Sequence, residues 1–351
     1  MKTIKHLLFL LCSLAACSCN TGDGGPEITR ITGTILKDGD IPGLFRILYY
    51  DGHNLITHSS AGDHPLCTYE ITGDELSSTG NYLHKGRGPG ELTAPSFYAD
   101  TAGIHCIANS MIHDYIYRYS LRKDTLLTAE RNDISWIKPF FSDSFVHIGD
   151  GRYLVSGGRT GTESILSVID ISRKTVEALN FWPEDGYGGN NIFGKQISYC
   201  GNSCIAANGN KIMYAAPYGL YLDIMTVDGG EIIKHNVIYD DLPDLSDSDK
   251  SGFGIIPDSE HHGIKAMATS NYIYAVRLGN ALQEGSGSVP PGFNNAIEVF
   301  DWDGNLLRRY ITDRPFVLFS AAADDSSLIT YGLSDEETQE LSLSVYTLDL
   351  K

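Results

Sequence analysis

A unit of roughly 50 to 60 residues recurs along the chain, and each copy opens on two apolar runs around a tight polar turn. The six copies place these hairpins at 47–56, 97–107, 146–155, 205–214, 265–276 and 319–330. Asp51-Gly52, Asp150-Gly151 and Asn208-Gly209 occupy three of the turns. Such pairs favour the positive φ that tight hairpin turns need. A third strand-like run follows each hairpin, at 66–71, 115–121, 165–171, 221–227, 297–302 and 341–348. Five of the six then turn into a fourth. Four strands repeated six times predict an all-β fold, a six-bladed β-propeller with four-stranded blades. No run shows the 3.6-residue period of a long amphipathic helix.

The sixth copy reaches Lys351 before its fourth strand, and residues 28–36 (Ile-Thr-Arg-Ile-Thr-Gly-Thr-Ile-Leu) have strand composition but no unit of their own. The expectation is that this N-terminal strand supplies the missing outer strand of the last blade. Pairing it there closes the ring and removes exposed sheet edges.

Composition agrees with that reading and narrows the partners. Twenty Tyr and 13 Phe favour strands, and 37 Gly suit many turns. A net charge of −18 argues against nucleic acid, which needs a basic footprint. At the start, Lys2 and Lys5 precede a ten-residue apolar run at 7–16, too short to span a bilayer. It ends in Leu14-Ala15-Ala16-Cys17, which resembles the lipobox of bacterial lipoproteins. The resemblance implies cleavage before Cys17 and a diacylglycerol on its thiol. The expected organisation is a signal peptide at 1–16, a flexible tether at 17–27 and the propeller at 28–351. An outer-membrane lipoprotein of the cell envelope follows, with lipid as its only anchor. Asp23 is the only acidic residue between 18 and 26, so the side of the membrane stays open.

Two further motifs carry a resemblance to a family. Residues 85–95 (Lys-Gly-Arg-Gly-Pro-Gly-Glu-Leu-Thr-Ala-Pro) resemble the opening of an NHL repeat and a marker loop of TolB-like six-bladed propeller lipoproteins of the Bacteroidetes kind. Residues 298–305 (Glu-Val-Phe-Asp-Trp-Asp-Gly-Asn) resemble the late-blade hairpin of those lipoproteins. The resemblance implies a propeller and no established biochemical role. Only the second blade reads as NHL, and its usual Asp at the end of the second strand is Asn109 here.

Candidate sites are few. The Gly-rich loop at 86–90, flanked by Lys85 and Arg87, has the composition of a phosphate cradle, but it lacks the Gly-Lys-Ser/Thr ending and reads chiefly as a turn between blades. Asp247, Asp249, Ser251 and Asp258 fall at positions one, three, five and twelve of a loop with Gly252 at six. That spacing resembles an EF-hand-type calcium loop, although Asp258 stands in place of Glu, Pro257 precedes it and Gly254 replaces an apolar residue. A solvated acidic loop is the competing reading, and calcium is the one cofactor in view. His261-His262 are adjacent and ill-suited to a single metal centre. His53, His84, His105, His113 and His147 are scattered. Cys200 and Cys204 are open to three readings: a disulfide, free thiols, or half a metal site. No nucleophile elbow and no paired acid and base stand out.

Two function classes remain. One is a binding or scaffold lipoprotein that presents a propeller face to a protein, peptide or glycan. The other is a propeller lyase or hydrolase with its site at the channel mouth. The long excursions at 181–203, 239–263 and 279–295 all leave from one side of the predicted ring. They contain Trp182, Tyr187, Phe193, Phe253 and Phe293, which are the candidate contact residues.

Overall fold

The computed structural model describes residues 27–350, apart from 89, 93–94, 110–113, 123–124, 138–139, 160–163, 187–191, 243–262, 279–289, 291 and 336–338. β1 (Glu27–Ile31) and β2 (Thr34–Ile35) precede the first blade, which is β3 (Leu44–Tyr50), β4 (Asn54–Ser59), β5 (Leu66–Thr72) and β6 (Glu75–Tyr82). A short clip of β7 (His84–Lys85) and β8 (Glu91–Leu92) leads to the second blade. That blade is β9 (Ser96–Asp100), β10 (Gly103–Asn109), β11 (Asp114–Arg122) and β12 (Thr125–Asp133). The third is β13 (Phe140–His147), β14 (Arg152–Arg159), β15 (Leu166–Asp170) and β16 (Thr175–Ala178). Helix α1 (Ile192–Cys200) intervenes before β17 (Cys204–Asn208), β18 (Lys211–Ala215) and β19 (Leu220–Asp228). β20 (Glu231–Lys234) and β21 (Val237–Asp241) both pair with β19 and together make the outer strand of the fourth blade. β22 (Ile264–Ala268), β23 (Tyr272–Arg277), β24 (Asn294–Asp301) and the first half of β25 (Leu306–Ala321) form the fifth. The second half of β25, β26 (Ser327–Leu333) and β27 (Leu341–Thr347) form the sixth. Because β25 serves both, the last two blades are one continuous sheet while the other four are separate.

The first strands of successive blades neighbour one another in the order β3, β9, β13, β17, β22, β25 and back to β3, so the ring is closed. Each of the six blade-to-blade interfaces has its own hydrophobic cluster. Middle strands are therefore covered on both faces. β24 is buried from Asn294 to Phe300, whereas the outer strand β12 is mostly exposed. Its polar and charged residues suit a sheet edge in water.

The N-terminal segment closes the last blade as the sequence predicts, and it also crosses to a second one. β2 pairs antiparallel with β27, Thr34 opposite Val345. β1 runs parallel to β25 at the outer edge of the fifth blade, Glu27 opposite Arg308. Gly33 makes the crossing against the ring of Tyr346, where a Cβ would lie 2.6 Å from the ring carbons. Leu36, 1% exposed, then enters the cluster between the sixth and first blades.

The turns follow the sequence in part. Asp150 and Gly151 both have positive φ, but at Asp51-Gly52 only the glycine does. There the Asp51 carboxylate holds the turn instead, accepting from the amides of His53 (3.0 Å) and Asn54 (2.7 Å). Helix α1 lies inside the excursion at 181–203, for which the sequence predicts no helix. It is short, and it packs on the third blade at β13 and β14.

Candidate functional site

The loops that join second to third strands, and one blade to the next, share one side of the ring. On that side, between the first two blades, lies a cleft of about 320 Å3 lined by His58, Ser59, Ser60, Lys85, Gly86, Arg87, Leu92 and Pro95. The Lys85 ammonium is turned inward and donates to the carbonyls of Ser60 (2.7 Å), Ala61 (3.3 Å) and Gly62 (3.1 Å). Arg87 remains exposed at the rim. The glycine loop is already filled from within. The Glu91 carboxylate accepts from the Gly88 amide at 2.7 Å, and a Cβ on Gly86 would fall 1.9 Å from the same oxygen. A chain carboxylate thus takes the place that a phosphate would need, and the turn reading of 86–90 holds.

His58 sits edge-on between Phe45 (5.3 Å) and Phe97 (5.1 Å). Burial, and then the charges of Arg46 and Lys85, push its pKa down to about 4. The unfolded chain therefore takes up this proton first as pH falls. Stability from neutral His58 is complete above the ordinary 6.5 and is lost as pH drops toward 4, by at most about 3 kcal/mol at about 1.4 kcal/mol per pH unit. Denaturant unfolding of wild type and His58→Gln across that window should show a shallower slope in the variant. Equal slopes would mean that His58 does not carry this dependence.

On the opposite side, where first strands turn into second strands, the structure gathers residues that are far apart in sequence. Asp100 ends β9, His105 lies within β10, and His147 ends β13 of the next blade. His105 is fully buried. Its Nδ1 lies 3.2 Å from the Tyr153 hydroxyl, and its Nε2 lies 3.5 Å from Asp100 Oδ1. His147 Nδ1 lies 3.6 Å from Asp100 Oδ2, and the two imidazoles stack at 4.7 Å. Burial, and then the neighbouring His105, lower the pKa of His147. His105 and His147 were individually visible in the sequence; their meeting was not. Asp100 and His147 end the first strands of consecutive blades, so laying one repeat over the next is the signal that could have paired them.

Other polar groups are tied into the scaffold. Asp223 accepts from Tyr221 (3.3 Å) and from the Asn236 amide (3.1 Å), with His235 Nδ1 at 2.6 Å. Within the excursion at 181–203, Asp185 pairs with Lys195 at 2.8 Å and accepts from Tyr199 at 2.9 Å. Trp182 is half-buried there, under the Lys195 ammonium at 4.6 Å. Burial, and then Asp185, raise the Tyr199 pKa strongly. Phe293 is half-buried. Phe193 lies in α1, and Tyr187 and Phe253 lie outside the described residues, as do Cys17 and the loop of Asp247, Asp249, Ser251 and Asp258. Among the described residues, Cys67, Cys106, Cys200 and Cys204 form no disulfide, and the Cys200 thiol lies 3.9 Å from the Ile165 carbonyl.

A family model described as TolB-like 6-blade propeller-like matches residues 33–323. Among solved structures, a member of the DUF4221 family from Bacteroides vulgatus is 12% identical, with a TM-score of 0.53 over 90% of this chain and 95% of its own. A luciferin-regenerating enzyme is 8% identical, with a TM-score of 0.50 over 91% and 96%. Regucalcin from Agrobacterium tumefaciens, a calcium-binding protein, is 13% identical, with a TM-score of 0.47 over 92% and 95%. No curated protein matches the sequence.

Proposed function

Because the chain belongs to the TolB-like 6-blade propeller family, we propose that it is a membrane-anchored binding module, held by lipid on Cys17 and offering one face to a protein, peptide or glycan of the cell envelope. The observation that carries this is the closed ring. A scaffold with six packed interfaces holds its loops in fixed relation, and such loops are the usual carriers of recognition. The cleft at His58 and Arg87 and the excursions at 181–203, 239–263 and 279–295 leave from the same side. Half-buried Trp182 and Phe293 stand at the bases of two of them. An exposed guanidinium at the cleft rim, on a chain of net charge −18, suits an anionic group on the partner.

The test uses envelope fractions and purified protein together. Wild type should remain with the membrane, and mass spectrometry should find acyl groups on Cys17. Cys17→Ser should be released or left unprocessed. An unmodified N-terminus at another position would refute the anchor. Shortening 243–262 or 279–289 should weaken capture of an envelope protein or glycan that wild type retains. If every shortened form binds fully while changes at the strand one-to-two turns abolish binding, the face is wrong.

A further inference from the structure

We propose that Asp100, His105 and His147 form a binding site for a divalent transition-metal ion of the zinc class, set between the second and third blades on the side of the strand one-to-two turns. One donor atom from each residue lies within 4.8 Å of the others. Two imidazoles and a carboxylate are a donor set that borderline ions favour, and three protein ligands leave a position for water.

The distances argue against an ordinary polar contact. His105 Nε2 and His147 Nδ1 stand 3.5 and 3.6 Å from the Asp100 oxygens, too long for good hydrogen bonds. Around zinc, with bonds of about 2.0–2.1 Å, tetrahedral ligands are about 3.3 Å apart. The two histidine–carboxylate separations, each to a different oxygen of Asp100, are close to that edge length, and all three donors lie within 4.8 Å of one another.

His105 supplies the independent observation. Its ring is fully buried, and its Nε2 has no hydrogen-bond partner among the described residues. Leaving such an atom unpaired in the interior is costly. Its other nitrogen faces the Tyr153 hydroxyl. If Nδ1 donates to Tyr153, the Nε2 lone pair points at a carboxylate. Two acceptors then face each other, and a cation between them resolves the conflict. An outer hydrogen bond that fixes the imidazole tautomer is what metal-bound histidines usually have.

Asp100 also has a turn role, since its Oδ1 accepts from the Ala102 and Gly103 amides at 2.7 and 3.1 Å. Those bonds fix the carboxylate and leave Oδ2 toward His147. The side chains of Asp100 and His147 are 22% and 19% exposed, so an ion has a way in. Arg118, the nearby cation, is paired with Glu130.

The experiment titrates zinc and cobalt into untagged full-length protein in detergent, after chelator treatment. The readouts are calorimetry and the visible absorption of bound cobalt. Wild type should take one equivalent, with the spectrum of a four- or five-coordinate ion. His147→Ala and Asp100→Asn should each weaken binding by more than about 100-fold, since even the outer partners of metal ligands are worth about 10–100-fold. Tyr153→Phe should weaken it by about 10-fold. Asp100→Asn keeps an oxygen for the two turn amides, so it decides the matter if His147→Ala does not fold. His261→Ala/His262→Ala should bind as wild type. A wild type that takes up neither ion overturns the proposal. So does uptake unchanged in folded Asp100→Asn.

Discussion

A chain lacking residues 28–37 is expected to lose cooperative folding and to aggregate. The deletion removes β2 from β27 and most of β1 from β25, so two blades lose paired neighbours at once. It removes the Leu36 amide bond to the Leu343 carbonyl (2.9 Å), the Gly33 amide bond to Asp313 (3.2 Å) and the Gly33 carbonyl that accepts from Arg314 (3.1 Å). It also removes Leu36 from between the sixth and first blades, where Ile329, Leu343, Tyr50 and Leu55 surround the seam. Loss of a buried Leu side chain alone costs about 2–5 kcal/mol, against a total stability of about 5–15 kcal/mol for a folded domain. The freed edges of β27 and β25 are templates for pairing with another chain. Leu36→Ala gives the graded form, with a loss of about 2–5 kcal/mol and retained ring closure. Denaturant unfolding and light scattering check both. A deletion form that melts like wild type would mean that the ring does not depend on its N-terminal strand.

The propeller was legible because strand alternation and turn chemistry repeat. All six hairpins and all six third strands lie where the sequence places them. The crossing of β1 to the fifth blade was not legible. Residues 28–36 have one continuous strand composition, and only the close approach of Gly33 to Tyr346 divides them. Helix α1 was missed because nine residues give too little period to see. The Gly-rich loop was readable as a turn, but not its filling by Glu91, since that depends on where a side chain three residues on folds back. The Asp100, His105 and His147 cluster lies across a blade interface. Sequence gives the residues of each blade and says little about which of them touch.

Glu298→Ala is expected to destabilise the protein by about 3–5 kcal/mol, the cost of breaking a buried charge network on one side. Glu298 lies in β24, with its side chain 3% exposed. Its Oε1 accepts from Arg309 Nε (3.1 Å) and Nη2 (2.7 Å) and from Arg277 Nη2 (3.2 Å). Its Oε2 lies 3.2 Å from Arg277 Nε and accepts from the Tyr239 hydroxyl. Arg309 is directly opposite on β25, so strand register sets this geometry. Removing the carboxylate leaves two guanidiniums and a phenol without their shared acceptor, which is worse than lacking the whole group. Glu298→Gln keeps the shape and loses the charge, so it should cost less. In a double-mutant cycle with Arg309→Ala, the coupling should be about 0.5–3 kcal/mol, as for residues in one network. Burial also makes the effect insensitive to salt, unlike a surface pair. Tyr239 belongs to β21, which takes in the first residues of the predicted excursion at 239–263 and ends at Asp241, so the connection to the fifth blade leaves from this strand. Through Tyr239 the network fastens the outer edge of the fourth blade to the fifth and sets the base from which that loop leaves. Hydrogen exchange should therefore rise in β21 of Glu298→Ala before it rises elsewhere. A loss below about 1 kcal/mol, in the range of an exposed ion pair, with β21 protected as in wild type, would show that packing alone holds this junction.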